Sequence, residues 1–373
     1  MQQLAVLKEE EQHQIVSLSP DSVKKLSKEF NICIEKDAGL SCGFSNEDYE
    51  RAGASIRDYE SLLKEADIIL SFLKKASPLR KEKLQSCIGF YGILNHPEAA
   101  LAFEGRNCQV FSLDLMPRTS LAQSMDLVST LASISGYQAA LLAAEQLPMV
   151  VPMMSSAAGT LPPAKYLVLG AGVAGLQAIA TSKRLGAVVE AFDVRSSTKT
   201  EVASLGAKFI EIEGAEEDQN AGGYAIEQKE AYLQKVNQRI TEVAAKADVV
   251  ITTAKIPGKK APILLPTEAV MQMKKGSIII DLAAENGGNC TLTESDQIID
   301  FQGVKIFGLN SLLNRCSTSA SMLISNNFTA FLKHLLNREA LGNDDILTAT
   351  KIVENGKIIH PYLNETLSTK TYA

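Results

Sequence analysis

The chain has 373 residues, 46% of them hydrophobic and 21% charged, enough for two domains, or one interrupted by the other, around a real core. A net charge of −6 with no basic block argues against a nucleic-acid partner. Glu9, Glu10 and Glu11 stand near an N-terminus without an apolar core, so no signal peptide is expected, and no apolar stretch reads as long enough to span a bilayer, so a membrane role would come through a partner.

Residues 1 to about 118 read as alternating strands and helices. Ala5-Val6-Leu7 is a strand, and Asp21 to Leu26 starts an amphipathic helix after Pro20. Asn31 to Glu35 is a strand, Ser45-Asn46-Glu47-Asp48 caps a helix, and Ile68-Ile69-Leu70 is a strand. Strands separated by helical patterns predict a parallel sheet, here without a glycine fingerprint. Thr119 to Glu145 reads as one long helix that bridges two domains, and Pro152 to Pro163 as a linker or loop. Further buried strands are expected at Val249-Val250-Ile251 and Ser277 to Asp281, with ligands outside their carboxyl ends. The polar segment Gly214 to Glu230 reads either as a mobile lid or as a solvated surface loop. Near the C-terminus a helix around Phe328 to Leu336 is followed by two short strands, with Glu354-Asn355-Gly356 as a hairpin turn between them. That tail is expected to return to the first domain. The six cysteines are scattered without a C-x-x-C and read as reduced structural thiols. The four histidines show no metal-ligand spacing.

Gly170-Ala171-Gly172-Val173-Ala174-Gly175 is a G-x-G-x-x-G in its expected setting. The run Tyr166 to Leu169 reads as a buried strand before it, and Leu176 to Ala180 opens a helix after it. A second strand, Ala187 to Phe192, ends at Asp193, roughly 20 residues beyond the last glycine. Gly170 permits the tight turn, Gly172 lets the backbone approach a pyrophosphate, and Gly175 lets the helix pack close to the strand. The amides at the helix N-terminus face the phosphates. Asp193 would accept hydrogen bonds from the adenosine ribose and repel a 2′-phosphate. Arg195 complicates that reading, because a nearby Arg can accommodate a 2′-phosphate.

These residues occur in order with Pro117-Arg118, Ala122 to Asp126, Ser204 to Ala207, Ala221 to Ala225, Ile251 to Lys259 and Asp281 to Cys290. Together they closely resemble the NAD(H)-binding domain of proton-translocating nicotinamide nucleotide transhydrogenase, a relative of alanine dehydrogenase. The resemblance is dense from 117 to 290 and thinner at both ends. It implies two Rossmann-like α/β domains with parallel sheets, joined by long helices, with a nucleotide cleft between them. The expected division is 1–129 plus 321–373 for the first domain and 130–320 for the NAD(H)-binding domain. It implies direct hydride transfer between NAD(H) on this chain and NADP(H) on a partner domain. A membrane-spanning proton-channel domain would couple that step to protons. Relatives dimerise, so a homodimer is expected, cytoplasmic and peripheral at the membrane through its partners.

The resemblance assigns Arg118, Gln123, Asp126 and Ser129 to the nicotinamide site and Tyr224 to a mobile loop hinged at Gly222-Gly223. It leaves Val173 and Lys255 lining the adenosine and pyrophosphate region, and places Val194, Arg195 and Gly223 among the nucleotide-binding residues. The spacing of Gln123, Asp126 and Ser129 would put all three on one helix face, with Arg118 able to pair with Asp126. Hydride passing between two nicotinamides needs no general acid or base, so these are positioning residues. An alanine dehydrogenase-like amino-acid dehydrogenase is the rival. It would require an Arg and a Lys where this chain has Ile15 and Ser71. A module that senses NAD(H) without passing a hydride is the other. Leu121, where the family often has a second Arg, Leu313, where a proline is usual, and Ile15, where many transhydrogenases retain an Arg, are departures from the transhydrogenase pattern.

Overall fold

The computed structural model describes residues 1–73, 83–212, 214, 230–256, 258–310, 312–337 and 344–370. The chain forms two compact units, Met1–Leu131 with Leu313–Ala373, and Ala132–Leu312.

The first unit is built on an eight-stranded sheet. Strands β1 (Gln2–Val6), β2 (Phe30–Glu35), β3 (Ser55–Arg57), β4 (Ile68–Leu70), β5 (Gln85–Gly89) and β6 (Cys108–Ser112) run parallel in the order β3-β2-β1-β4-β5-β6. That is the doubly wound order in which the chain reverses direction beside β1. Helix α1 (Pro20–Leu26) starts where expected: Ser19 accepts the Ser22 amide and Pro20 occupies the first turn. Helix α2 (Asn46–Arg51) carries a full capping box, Ser45 with Asp48, and α3 (Tyr59–Glu65) is capped by Asp58. The core gathers Leu7, Leu62, Ile69, Cys87, Phe103 and Val110.

The second unit holds a seven-stranded sheet. Its two-residue-turn hairpin β7 (Met154–Ser156) and β8 (Gly159–Leu161) stands apart from that sheet. The sheet itself comprises β9 (Lys165–Leu169), β10 (Val188–Phe192), β11 (Lys208–Phe209), β12 (Val249–Thr252), β13 (Ile278–Asp281), β14 (Ile298–Phe301) and β15 (Val304–Phe307). Its order is β11-β10-β9-β12-β13-β15-β14, parallel except for β14. The same reversal thus falls between β9 and β12. Along β9, Tyr166 and Val168 face one core cluster and Leu167 and Leu169 the other. Both faces are covered, which is why β9, β12 and β13 read as continuous apolar runs rather than alternating ones. Burial contributes about 1.5–3 kcal/mol for each such Leu, Ile or Val.

Helix α4 (Leu127–Gln146) begins in the first unit and continues into the second, where Ala139, Ala140, Leu142 and Ala143 are core residues beside α5 (Val173–Arg184). The opposite face of the sheet is covered by α7 (Glu230–Ala244) and α8 (Thr267–Met271), while α6 (Thr198–Ser204) lies between β10 and β11 in the chain. In the first unit the chain closes with α9 (Ser317–Leu336), α10 (Asp345–Thr350), β16 (Lys351–Glu354), β17 (Lys357–Ile358) and α11 (Pro361–Lys370). β16 and β17 form the expected hairpin around Asn355-Gly356, and β16 pairs antiparallel with β6, so the tail completes the first unit's sheet.

Four expectations change. Residues 119 to 126 are not helix: a 3-10 turn at Gln123–Met125 precedes α4. The stretch expected to be a linker contains the β7–β8 hairpin, whose Ala157-Ala158 turn carries no Asn-Gly signal. Helix α9 starts eleven residues before Phe328, because its small hydroxyl residues are buried acceptors rather than loop: Ser321 takes the Val16 amide and Ser325 the Ser19 amide. Finally, α4 is by length and composition apolar enough to cross a membrane, although the residues named above are spent on the second unit's core. Tyr224, Gly222 and Gly223 lie outside the described residues.

Candidate functional site

The strand reversal places the carboxyl ends of β9 and β12 side by side, and the fingerprint grows from the first of them. Gly170 has φ +100°, a backbone region that favours glycine. A Cβ there would collide with Thr253 Oγ1 on the loop after β12. Thr253 Oγ1 instead donates to the Gly170 carbonyl at 3.1 Å, and the Thr253 amide donates to Leu169 O at 2.7 Å. The glycine turn is therefore fastened to the neighbouring strand end. Gly172 is the N-cap of α5, and Val173, well exposed, opens its first turn. A Cβ on Gly175 would overlap the Gly170 carbonyl oxygen, so only glycine lets α5 pack this close. The amides at the start of α5 are thus presented beyond the sheet edge, where an anion is favoured.

Asp193 follows β10 and is nearly buried. Its carboxylate accepts the Ala171 amide at 2.7 Å and the Arg195 amide at 2.9 Å. The Arg195 guanidinium binds both oxygens, Nε at 2.9 Å and Nη2 at 2.8 Å. The pairing with Asp193 raises the Arg195 pKa above its ordinary value, against burial, which lowers it. Val194 lies between them, half-buried. The second unit therefore brings Gly170, Gly172, Val173, Gly175, Asp193, Val194 and Arg195 to one strand-end cluster.

Lys255 belongs to the loop after β12. Lys255 is exposed, yet the surrounding protein lowers its ammonium below the usual lysine value, opposed by the nearby charges of Glu285 and Asp281. The loop is held by Asn289, a buried side chain to which the sequence assigned no role. Its Oδ1 accepts the Ala254 amide at 3.0 Å, and its Nδ2 donates to Ala254 O at 2.9 Å and Pro262 O at 2.7 Å. Asn289 is held in turn by Asp281 at the end of β13, which accepts the Asn289 and Cys290 amides and the Thr293 hydroxyl. Gly136 is a second residue that local reasoning missed. A Cβ there would overlap the Ala174 carbonyl, so α4 approaches the first turn of α5 at backbone distance. A glycine inside an otherwise regular helical pattern was the available signal.

Arg118, Gln123, Asp126 and Ser129 all lie in the first unit. Arg118 and Gln123 are exposed, Asp126 and Ser129 half-buried. The expected common helix face does not form. Asp126 has an extended ψ of 91°, which ends the 3-10 turn, and its Oδ1 accepts the Ser129 amide at 2.9 Å. That is an N-cap bond to the third residue of α4, reinforced by the Ser129 hydroxyl donating to Oδ2 at 2.6 Å. Gln123 stands in the preceding turn, which Asn327 of α9 fastens by donating to the Ser124 carbonyl at 2.9 Å. Ile15 and Ser71 are both buried.

Two doubly wound units, one with a dinucleotide fingerprint at its strand reversal, define a two-domain α/β protein of the dehydrogenase type. Sequence profiles match both halves: "Alanine dehydrogenase/PNT, N-terminal domain" over residues 5–135 and "Alanine dehydrogenase/PNT, C-terminal domain" over 139–361. The chain belongs to the alanine dehydrogenase/PNT family. It is 39% identical over 367 residues to the first part of the NAD(P) transhydrogenase alpha subunit of Rhodospirillum rubrum, covering 93% of this chain and 95% of that one. It is 37% identical to NAD(P) transhydrogenase subunit alpha of Haemophilus influenzae, covering 93% of this chain and 69% of the relative. Among solved structures, transhydrogenase from Sinorhizobium meliloti superposes with a TM-score of 0.85 at 37% identity, over 96% of this chain and 99% of that one. An L-alanine dehydrogenase superposes at 0.81 with 22% identity, over 98% and 99%, a likeness of fold.

Proposed function

We propose that this chain is the NAD(H)-binding subunit of a proton-translocating transhydrogenase. It passes a hydride directly between NAD(H), which it binds, and NADP(H) on a partner domain. The observation that carries the reading is the fingerprint turn itself, with the α5 amides presented beyond the sheet edge and an acid, Asp193, bonded to the amide of Ala171 inside the turn. The relatives supply the reaction: those at 37–39% identity over nine-tenths of the chain are named as transhydrogenase alpha subunits.

In this reading Gly170, Gly172, Val173 and Gly175 receive the pyrophosphate, Asp193 and Val194 the adenosine ribose, and Arg195 stands beside the ribose or the pyrophosphate. Lys255 borders that half of the nucleotide. Arg118, Gln123, Asp126 and Ser129 serve the nicotinamide, and Tyr224 with Gly223 closes over it. Bound NAD(H) supplies the hydride chemistry at its nicotinamide ring. The protein's residues orient the ring and exclude water, and none has to move a proton. The Asp126–Ser129 bonds fix the start of α4, so the groups around it are held before the nucleotide arrives. The chain acts as a homodimer, peripheral to the membrane on its cytoplasmic side, with a membrane-spanning partner carrying the proton path.

An amino-acid dehydrogenase is disfavoured. Ile15 and Ser71, buried and uncharged, occupy the positions where a substrate carboxylate clamp would need an Arg and a Lys. The deciding experiment mixes this chain with an isolated NADP(H)-binding transhydrogenase domain, NADPH and an NAD⁺ analogue of shifted absorbance. Transfer that needs both proteins supports the proposal. Bound NADH without transfer favours a sensing module, and NADH oxidation by pyruvate with this chain alone favours the dehydrogenase.

A further inference from the structure

The Asp193 carboxylate is saturated by donors of the protein itself. Oδ1 accepts the Arg195 amide and Arg195 Nε, and Oδ2 accepts the Ala171 amide and Arg195 Nη2. A carboxylate offers about four lone-pair positions, so these four donors leave none for a ribose hydroxyl. With 9% of Asp193 exposed, the charge needs such partners.

The guanidinium also stands over the fingerprint. The nearest heavy atom to a Cβ built on Gly172 is Arg195 Nη2, at 3.9 Å. Gly172 caps the N-terminus of α5, the positive end of the helix dipole. A cation there is repelled by the helix end and held by its fork to Asp193, with the charge of Glu201 nearby. An anionic pyrophosphate at the same place would attract both the helix end and the guanidinium.

We propose that Arg195 is a displaceable plug that occupies the ribose-acceptor and pyrophosphate positions and swings from Asp193 to the nucleotide phosphates on binding. The proposal rests on Asp193 being the ribose acceptor. Two of the four donors are backbone amides and stay in place. The ribose hydroxyls take the two positions that the guanidinium vacates. A ligand with a ribose diol and no phosphate must displace Arg195 and offers it nothing in return. A ligand with both compensates the displaced cation. Arg195 thereby selects whole dinucleotides over nucleosides, and it is a specificity-determining residue in addition to a contact.

The test is binding of adenosine and NADH, with NADPH as a third ligand, to the full chain and to Arg195→Ala and Arg195→Gln. Arg195→Gln keeps a donor near the buried carboxylate and guards against a variant that fails to fold. Adenosine is expected to bind Arg195→Ala roughly three- to tenfold tighter than the unsubstituted chain, the scale of one charged fork released from a partly exposed pair. NADH is expected to bind no tighter, so the ratio of NADH to adenosine affinity falls. Adenosine binding unchanged or weakened in both variants would overturn the plug and leave Arg195 as a simple structural or phosphate contact. Selective loss of NADPH binding would overturn it in favour of a 2′-phosphate reader. An unsubstituted chain that binds neither NADH nor adenosine would overturn the nucleotide reading itself.

Discussion

Asp126 carries two duties, and two substitutions separate them. As the N-cap of α4 its side chain takes the Ser129 amide and hydroxyl. Asn caps a helix about as well as Asp, whereas Ala loses about 1 kcal/mol. Asp126→Asn should therefore melt within about 0.5 kcal/mol of the unsubstituted chain, and Asp126→Ala about 1 kcal/mol below it. Both should slow hydride transfer to the partner domain far more than they weaken NADH binding, because a positioning residue acts on the geometry of transfer. The paired measurement is a denaturant melt and a transfer rate for each variant. A rate that tracks stability across both would reduce Asp126 to a cap. The sequence placed Asp126 in the site through the family resemblance and inside a longer helix, so its capping role was not legible. Nor was the loss of the shared helix face, because spacing alone does not reveal that the backbone turns extended at Asp126.

At the scale of elements, the loops after β12 and β13 are joined through one side chain. Asn289 makes three hydrogen bonds to backbone groups of residues 254 and 262 while fully buried. Asn289→Ala leaves those groups without partners at about 1–3 kcal/mol each, partly relieved where water can enter. We expect a loss of about 2–4 kcal/mol in a urea melt and weaker NADH binding. A loss below about 1 kcal/mol would mean that the two loops do not depend on this staple. The strands and the fingerprint were readable because their signals are local: a run of apolar residues buried on both faces, glycines at fixed spacing, an acid at the next strand end. Asn289 was quoted within a motif but its role was hidden, since its partners lie 27 and 35 residues away. The β7–β8 hairpin was hidden for a different reason. It has neither alternating burial nor a turn dipeptide, and all six of its strand residues are exposed. A second element-scale prediction concerns the junction of β17 and α11. Burial lowers the His360 pKa below its ordinary 6.5, opposed by a backbone bond to Ala349 and the charge of Asp114. The folded value is the depressed one, so the stabilisation is present above pH 6.5 and is lost as pH falls through the folded value. Asp114, pushed above the ordinary carboxylate range by burial, works in the opposite sense. His360→Gln should flatten the fall in stability just below pH 6.5, read from melts at a series of pH values. An unchanged slope would assign it to other groups.

For the whole molecule the open question is how the chain protects its own surface. From Gln146 to Ala164 there is no charged residue, and the β7–β8 hairpin stands inside that span. Met153 is 66% exposed, and Met154 and Leu161 about half exposed. A two-stranded hairpin is at best marginally stable alone in water, and an uncharged edge strand is a template for pairing with another chain. Proteins that keep such an edge exposed commonly guard it with Lys or Pro; here Pro152, Pro162 and Pro163 flank the hairpin and no charge lies within it. An edge that is left apolar fits a surface covered by a partner, and the proposed homodimer would supply one with the same surface. Two copies meeting about a two-fold axis would place one hairpin against its equivalent or against a common face. Sedimentation of the 40.2 kDa chain should therefore give twice that mass. The double substitution Met154→Lys with Leu161→Lys places a charge on each strand and should shift the chain toward the single mass. It should do so without lowering the melting transition of the second unit's core, since neither side chain belongs to that core. A dimer that survives both lysines would put the interface on another face. A chain that is single before substitution would remove the homodimer from the proposal while leaving the nucleotide site untouched.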